Sequence, residues 1–408
     1  MRRPAGEPVV AAAGTASRAM PALWLLALIT LSGTLAMHIF VPALPLVAES
    51  LGVGKAGVQL TLSAYIIGLS IAQLVYGPIS DQFGRRPVLL LGMALFTVAS
   101  LVALAAPSLP LLIVMRFVQA LGAGAGLVLG RAIVRDMASG TDAARKQSLM
   151  NLMVMVGPGL SPLIGALLSE TTGWRSIFAA LSLLGLVNLW LIWRRLPETA
   201  VLAGRERGGV LRRYGQLLRM PAFVAYAIGG GFATTALYAF IGAAPFIFVN
   251  QLHRPAGEVG VYLMLNIVGV WFGSFAASRL IGRFATRRLM SVGNLLSLGS
   301  ALVLLAAAVT GALSLVAVLA PVLVLSFGAG LASPMALSEA LSVEPAIAGS
   351  ASGLYGFAQM SIGALCAALS SIGPDPALAV GLVLTMAGCI AQLSFWLAGR
   401  VATREGGG

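Results

Sequence analysis

Long apolar stretches without charge alternate with short polar connectors along almost the whole chain. A helix needs about 20 apolar residues to cross the hydrocarbon of a bilayer. Stretches of that length fall near 22–48, 57–80, 87–106, 110–130, 147–169, 176–193, 222–250, 259–278, 289–310, 313–338, 346–372 and 376–399. The pattern predicts an all-α membrane protein of twelve transmembrane helices, and Arg116 is the single ionised residue expected inside one of them.

Composition agrees with that placement. With 59% hydrophobic and 10% charged residues, 408 residues carry too little polar surface to cover a soluble globule. The net charge of +13 would suit a nucleic-acid partner if the bases formed a folded polar face, but they sit in the connectors, so no nucleic acid is expected. With the N-terminus inside, the inner segments hold 22 of the 26 basic residues, and the outer ones hold only Lys55, Arg175 and Arg254. By the positive-inside rule both termini face the cytoplasm, and the expected location is a bacterial inner membrane. Arg2 and Arg3 begin like a secretory signal, but the apolar stretch that follows is too long for a signal core, so the first helix is read as uncleaved. Cys366 and Cys389 both fall in predicted helices, which argues against a disulfide framework.

The polar connector 194–221 separates six spans from six. It divides the chain into an N-terminal bundle (1–194), a cytoplasmic linker (195–220) and a C-terminal bundle (221–408). Within the linker, Leu211, Leu217 and Leu218 alternate with Arg212, Arg213 and Arg219, a pattern that suits either a short helix on the anionic inner leaflet or a solvated connector. The halves resemble each other: Ala36 to Pro45 aligns with Ala236 to Pro245 at a constant offset of 200, with Ala36, Phe40, Ala43 and Pro45 matched. Parallel repeats of this kind place a substrate near the bilayer midplane between the halves.

The connector Gly77-Pro78-Ile79-Ser80-Asp81-Gln82-Phe83-Gly84-Arg85-Arg86-Pro87 is a tight charged turn. Gly77 and Gly84 permit close approach and unusual dihedrals, and Arg85 and Arg86 are placed to hold Asp81 or another anion across the inner rim. Asp136, which ends the run from Arg131, joins this set as a conformational latch. Glu339 and Glu344 lie at the inner ends of spans ten and eleven, and the expectation is that Arg85 or Arg86 pairs with Glu344 when the inner side closes. Arg116 and Gln119, three apart, share a helix face. A cation at a helix centre costs roughly 2.5–3.5 kcal/mol on insertion scales, so its presence marks a water-filled cavity unless the side chain snorkels outward. In the fifth span Gly157, Pro158, Pro162 and Gly165 bring small-residue packing and missing hydrogen bonds, and with them a bend.

The charged turn resembles the cytoplasmic loop motif of the major facilitator superfamily, and Arg116 to Gly124 resembles that superfamily's second motif. Gly157 to Ala166 is similar to the antiporter motif of drug:proton exchangers, with Ser161 and Ala166 where glycine is usual. Together with Pro42-Ala43-Leu44-Pro45 and Gly349 to Leu354, these motifs resemble the bicyclomycin-resistance (Bcr/CflA) branch. The resemblance implies two pseudo-symmetric six-helix bundles in the major facilitator fold. It also implies a monomeric proton-coupled efflux antiporter for small drug-like molecules, with Arg116 on the central cavity taking part in proton coupling. It departs at His38, where the branch commonly carries Asp; none of the 13 acids lies within a span.

His38 titrates near neutral pH, which suits a proton carrier, or it is a neutral imidazole bonded across helices. With Arg116 and no embedded acid, the cavity favours neutral, zwitterionic or anionic amphiphiles over cations. Tyr65, Asn151, Tyr238, Asn266 and Gln359 are candidate lining groups. No phosphate-binding loop is present, so the proton gradient is the expected energy source, with no cofactor and no metal. Two distant histidines leave almost no catalytic inventory, which argues against an enzyme. The alternative on the same fold is a metabolite exporter or uncoupled facilitator.

Overall fold

The computed structural model describes residues 21–137, 140–200 and 209–405. Of the inner basic residues, Arg2, Arg3, Arg18, Arg205 and Arg207 lie outside the described residues, as does the middle of the linker. The described residues are mostly helical, and twelve helices among them are long and apolar enough to cross a membrane.

The first span is α1 (Leu23–His38), a short 3-10 turn at Val41–Ala43 and α2 (Leu44–Ser50). Pro42 and Pro45 sit in first turns, where a missing N–H costs least. Single helices form the next five spans: α3 (Lys55–Phe83), α4 (Arg85–Leu104), α5 (Leu109–Met137), α6 (Gly140–Thr171) and α7 (Arg175–Arg195). The linker contributes α8 (Val210–Leu218). The seventh span repeats the broken design of the first, with α9 (Pro221–Thr235) and α10 (Leu237–Phe246) running into a π-turn at Ile247–Gln251. Then come α11 (Ala256–Leu280), α12 (Thr286–Val309), α13 (Leu315–Ser342), α14 (Ala348–Leu369) and α15 (Pro376–Glu405). Both interrupted spans carry their break inside or beside the matched segments 36–45 and 236–245.

Large apolar side chains such as Leu91, Leu183, Phe272, Val316 and Met386 are exposed on the outer faces of the bundle. In water that surface would drive association; against lipid tails it is at home. Packing is correspondingly carried by small residues and close helix contacts.

The buried apolar residues divide in an informative way. At the ends remote from the arginine-rich connectors, one continuous core joins both halves: Phe40, Leu44, Leu62 and Phe178 belong to the same cluster as Phe240, Phe248, Leu263 and Val380. At the basic ends the core is split. Leu26, Leu89, Leu129 and Ile192 form a cluster of first-half residues, and Phe223, Tyr226, Met335, Tyr355 and Phe395 form one of second-half residues, touched from the first half by Leu74 of α3. The halves are thus fused at one end and packed separately at the other, with α3 against α14 and α6 against α11 as the seams between them.

Candidate functional site

The charged turn folds around Arg85. Gly84 adopts φ +95° between α3 and α4, a left-handed conformation that disfavours any side chain. A Cβ there would also stand 2.6 Å from Glu198 Oε2. Glu198 follows α7 and caps the start of α4: Oε1 accepts from the N–H groups of Arg85, Thr199 and Ala200, each at 2.9 Å, and Oε2 from the N–H of Arg86 at 3.1 Å. An acid at a helix N-terminus satisfies orphan donors and the positive end of the macrodipole together. The Arg85 side chain is 4% exposed. It pairs with Asp81 at 2.8 Å and with Asp136 of α5 at 2.8 Å, and also donates to Ser80 Oγ. One turn therefore ties together the ends of α3, α4, α5 and α7.

Sequence reasoning placed Gly84, Asp81, Arg85 and Asp136 together but missed Glu198, whose only signal is an acid directly after a Pro that ends the sixth span. Gly77 contributes a carbonyl to Ser80 Oγ at 2.9 Å. The expected pairing with Glu344 is absent here: Arg85 spends its donors within the first half, Arg86 Nη2 donates to the Trp193 carbonyl at 2.8 Å, and it is Glu339, not Glu344, that meets a base, Arg287 at 3.3 Å. The reason is geometric, because the two halves have separate cores at this end.

Arg116 is fully buried. Its guanidinium carbon lies 4.1 Å from the ring centre of Tyr65, 4.9 Å from that of Phe40 and 6.0 Å from that of Phe178, an aromatic cage of the kind that attracts a desolvated cation. Nη1 donates to the Ala36 carbonyl (3.1 Å) and to Gln119 Oε1 (2.6 Å); Gln119 in turn donates to Ser100 Oγ, which donates to the Phe96 carbonyl, both at 2.7 Å. Nε and Nη2 have no hydrogen-bond partner among the described residues. The sequence reading puts this cation on a wet central cavity; the structure encloses it within the first half instead. It lies at the end where the core is continuous, so the space between the halves is filled at its depth.

His38, at the end of α1, is 6% exposed, and its Nδ1 lies 2.7 Å from the Thr34 carbonyl. A carbonyl only accepts, so Nδ1 carries a proton, and in the neutral imidazole Nε2 is the basic nitrogen. His38 and Arg116 thus both bond to backbone carbonyls near the end of α1, those of Thr34 and Ala36.

The lining candidates separate. Tyr65 is part of the arginine cage and donates to the Gly33 carbonyl at 2.8 Å. Asn266 is buried and accepts from Ser326 at 2.8 Å, linking α11 to α13 rather than facing a gap. Both are corrected from lining groups to packing groups, since each polar atom in lipid seeks a partner on the next helix. Tyr238 and Gln359 are half-buried in the second half, where Gln359 Nε2 donates to Thr234 Oγ1 and its carbonyl accepts from Thr235 Oγ1, both at 2.7 Å. The side chain of Asn151 lies outside the described residues.

In α6 the helix continues through Pro158 and Pro162, with Ser161 Oγ bonded back to the Gly157 carbonyl. Gly157 and Gly165 are contact points for α1: a Cβ on the first would overlap Leu31, and on the second the Ile39 carbonyl oxygen. Pro162 and Ala166 lie against Gly260 of α11 in the other half. The motif is thus a packing surface that faces both α1 and the opposite bundle.

Polar clasps at the fused end were not foreseen. Lys55 Nζ, at the start of α3, donates to the Pro374 carbonyl at 2.9 Å, and Gln59 of the same helix to the Gly242 carbonyl at 2.9 Å. Asp375 anchors the far side by accepting from Gln251 at 2.7 Å and from the Leu378 N–H at 3.0 Å. Burial pushes the Asp375 carboxyl up, but the Leu378, Gln251 and Ala377 hydrogen bonds and the Lys55 ammonium outweigh it and hold the group below the usual Asp value. Across the other seam, the Glu170 carboxylate stands against Gly257 in the first turn of α11.

Comparison with known proteins agrees with this architecture. The family described as Major Facilitator Superfamily matches residues 26–368. Multidrug resistance protein D of Escherichia coli (strain K12) is 34% identical over 379 residues, covering 92% of this chain and 94% of that protein. A bicyclomycin resistance protein homolog of Haemophilus influenzae is 26% identical, covering 87% and 89%, in keeping with the branch that the motifs resemble. Among solved structures, a D-xylose–proton symporter superposes with a TM-score of 0.71 at 18% identity, covering 92% of this chain and 96% of that one; at that identity the likeness is one of fold.

Proposed function

The chain belongs to the Major Facilitator Superfamily, and from that premise we propose that it is a drug-efflux antiporter of the inner membrane, exporting small amphiphiles against inward proton movement. The observation that carries this reading is the division of the core: one fused end, one split end, and two seams on which the halves can rock. With both termini and the arginine-rich connectors in the cytoplasm, the split end faces the cytoplasm and loads substrate, while Lys55, Gln59, Asp375 and Glu170 hold the outer end shut. The names of the relatives support drugs as the substrate class. The protein works as a monomer, without cofactor or catalytic chemistry.

Proton coupling falls to His38 and Arg116. His38 Nε2 is the free basic site in the first half, and Arg116 has two unpaired N–H edges and no acid near it. His38 and Arg116 are both buried in the first half, so protonation of His38 adds a second cation to that dry bundle, an arrangement that favours opening of the fused end. A proton moving inward down 100 mV releases about 2.3 kcal/mol, enough to bias the two states. The same unpaired cation disfavours cationic substrates and admits neutral, zwitterionic or anionic ones.

The test is a drug and metabolite panel in an efflux-deficient bacterium, with and without ionophore. Loss of resistance on collapse of the gradient is the expected result. Full transport after collapse would support instead a metabolite exporter or uncoupled facilitator, a reading favoured by the complete enclosure of Arg116 and the lack of an embedded acid.

A further inference from the structure

A recess of about 630 Å³ opens at the basic end of the first half, between the ends of α1, α4 and α7. Its walls bring together Arg86 at the start of α4 and Arg194 and Arg195 at the end of α7, beside Trp193. Arg86 Nη2 is fixed on the Trp193 carbonyl, while its Nε is buried without a hydrogen-bond partner among the described residues. The Arg194 guanidinium lies 5.1 Å from the Trp193 ring centre. Among the described residues no carboxylate lines the recess. Glu198, just beyond it, has both oxygens committed to four backbone N–H groups. Three guanidiniums in one concavity without an acid make an anion site, since planar forks match phosphate oxygens in pairs.

The surroundings say which anion. Trp24, Trp190 and Trp193, three of the six tryptophans of the chain, are 46%, 54% and 59% exposed at this corner, as in the aromatic belts that mark headgroup depth. Below the recess, Leu183, Leu186 and Trp190 form an exposed stripe at helical spacing along α7, a surface suited to acyl chains. Basic pockets between transmembrane helices on the cytoplasmic side accept phospholipid headgroups.

We infer that this recess binds the phosphate of an anionic phospholipid, with Arg86, Arg194 and Arg195 on the phosphate and the acyl chains along the α7 stripe. The site is separate from the transport path and rests on membrane placement alone. Because Arg86 also belongs to the charged turn, an occupied recess braces that turn from its lipid side.

The full chain, purified in detergent and given mixed phosphatidylglycerol and phosphatidylcholine, is examined by native mass spectrometry for retained lipid. Preferential retention of phosphatidylglycerol is expected. The Arg194→Gln/Arg195→Gln pair should lower it by roughly tenfold or more, at about a fivefold loss per basic residue, and Arg194→Lys/Arg195→Lys should keep most of it. Equal retention of the two lipids by the wild type would overturn the proposal. So would unchanged phosphatidylglycerol retention in a monodisperse Gln pair, or displacement of the lipid by millimolar inorganic phosphate, which would make the site one for free phosphate.

Discussion

Removing the Glu198 carboxylate should loosen the charged turn more than any other single change outside Arg85. In Glu198→Ala the N–H groups of Arg85, Arg86, Thr199 and Ala200 lose their acceptor at once. Hydrogen bonds to charged groups contribute about 1.5–3 kcal/mol each when buried, but this carboxylate is half-buried and water replaces part of the loss. A helix cap is worth about 1 kcal/mol; adding the charge and the Arg86 contact gives a loss of about 3 kcal/mol. For a chain of 408 residues that lowers the melting temperature by roughly 3–4 °C, measurable by thermal unfolding in detergent. Glu198→Gln keeps one oxygen and should fall by less than half as much. If Glu198→Ala melts within about 1 °C of wild type, or if Gln is as damaging as Ala, the argument that these N–H groups need the carboxylate is wrong.

Other outcomes are equally specific. Arg116→Lys should lose transport nearly as fully as Arg116→Gln while still inserting, since an ammonium neither reaches both Ala36 and Gln119 nor fills the cage as a planar guanidinium does; drug export with a purification check decides it. His38→Ala and His38→Gln should both uncouple export from the gradient, the second while keeping a donor for the Thr34 carbonyl; drug-driven proton flux in proteoliposomes should vanish in both, and flux retained in either would sink the carrier role. Gly165→Leu should abolish folded protein on size-exclusion chromatography, because its side chain must displace the Ile39 backbone, and overpacking costs about 1–3 kcal/mol even where neighbours can yield. The Asp375 carboxyl is held below its usual value, so its contribution to the outer clasp is complete above about pH 4 and fades as pH falls through the lowered value; the melting temperature of the wild type relative to Asp375→Asn in detergent should therefore be constant above about pH 4 and converge on the variant's only in stronger acid, and a gap that narrows between about pH 7 and about pH 5 would contradict this.

The spans were readable because lipid forces long uncharged runs, and the repeat because Pro45 and Pro245 recur at matched depth; the breaks in the first and seventh spans were not, since Pro245 lies within α10 and the break at Ala236 carries no proline. The charged turn was readable in part: Gly84, Arg85 and Asp81 are neighbours in sequence, so spacing reveals them. Glu198 was not, since it meets Gly84 only after four helices have folded back. The surroundings of Arg116 were misread because a lone cation in an apolar helix implies a partner without saying what kind, and three aromatic rings from the break in the first span, α3 and α7 leave no pattern along the chain. Lys55, Gln59 and Asp375 escaped notice because their partners are mostly backbone carbonyls and N–H groups, which no residue type advertises.

The split core at the basic end and the fused core at the other require that the two ends exchange. Spin labels at Phe83 and Phe284, both exposed at the basic end, and at Ser108 and Ala312, exposed at the opposite end, report on each in a chain carrying Cys389→Ser. Addition of an exported drug at low external pH should shorten the first distance and lengthen the second together. Distances that stay fixed, or that change in the same direction at both ends while the protein exports drug, would contradict the account.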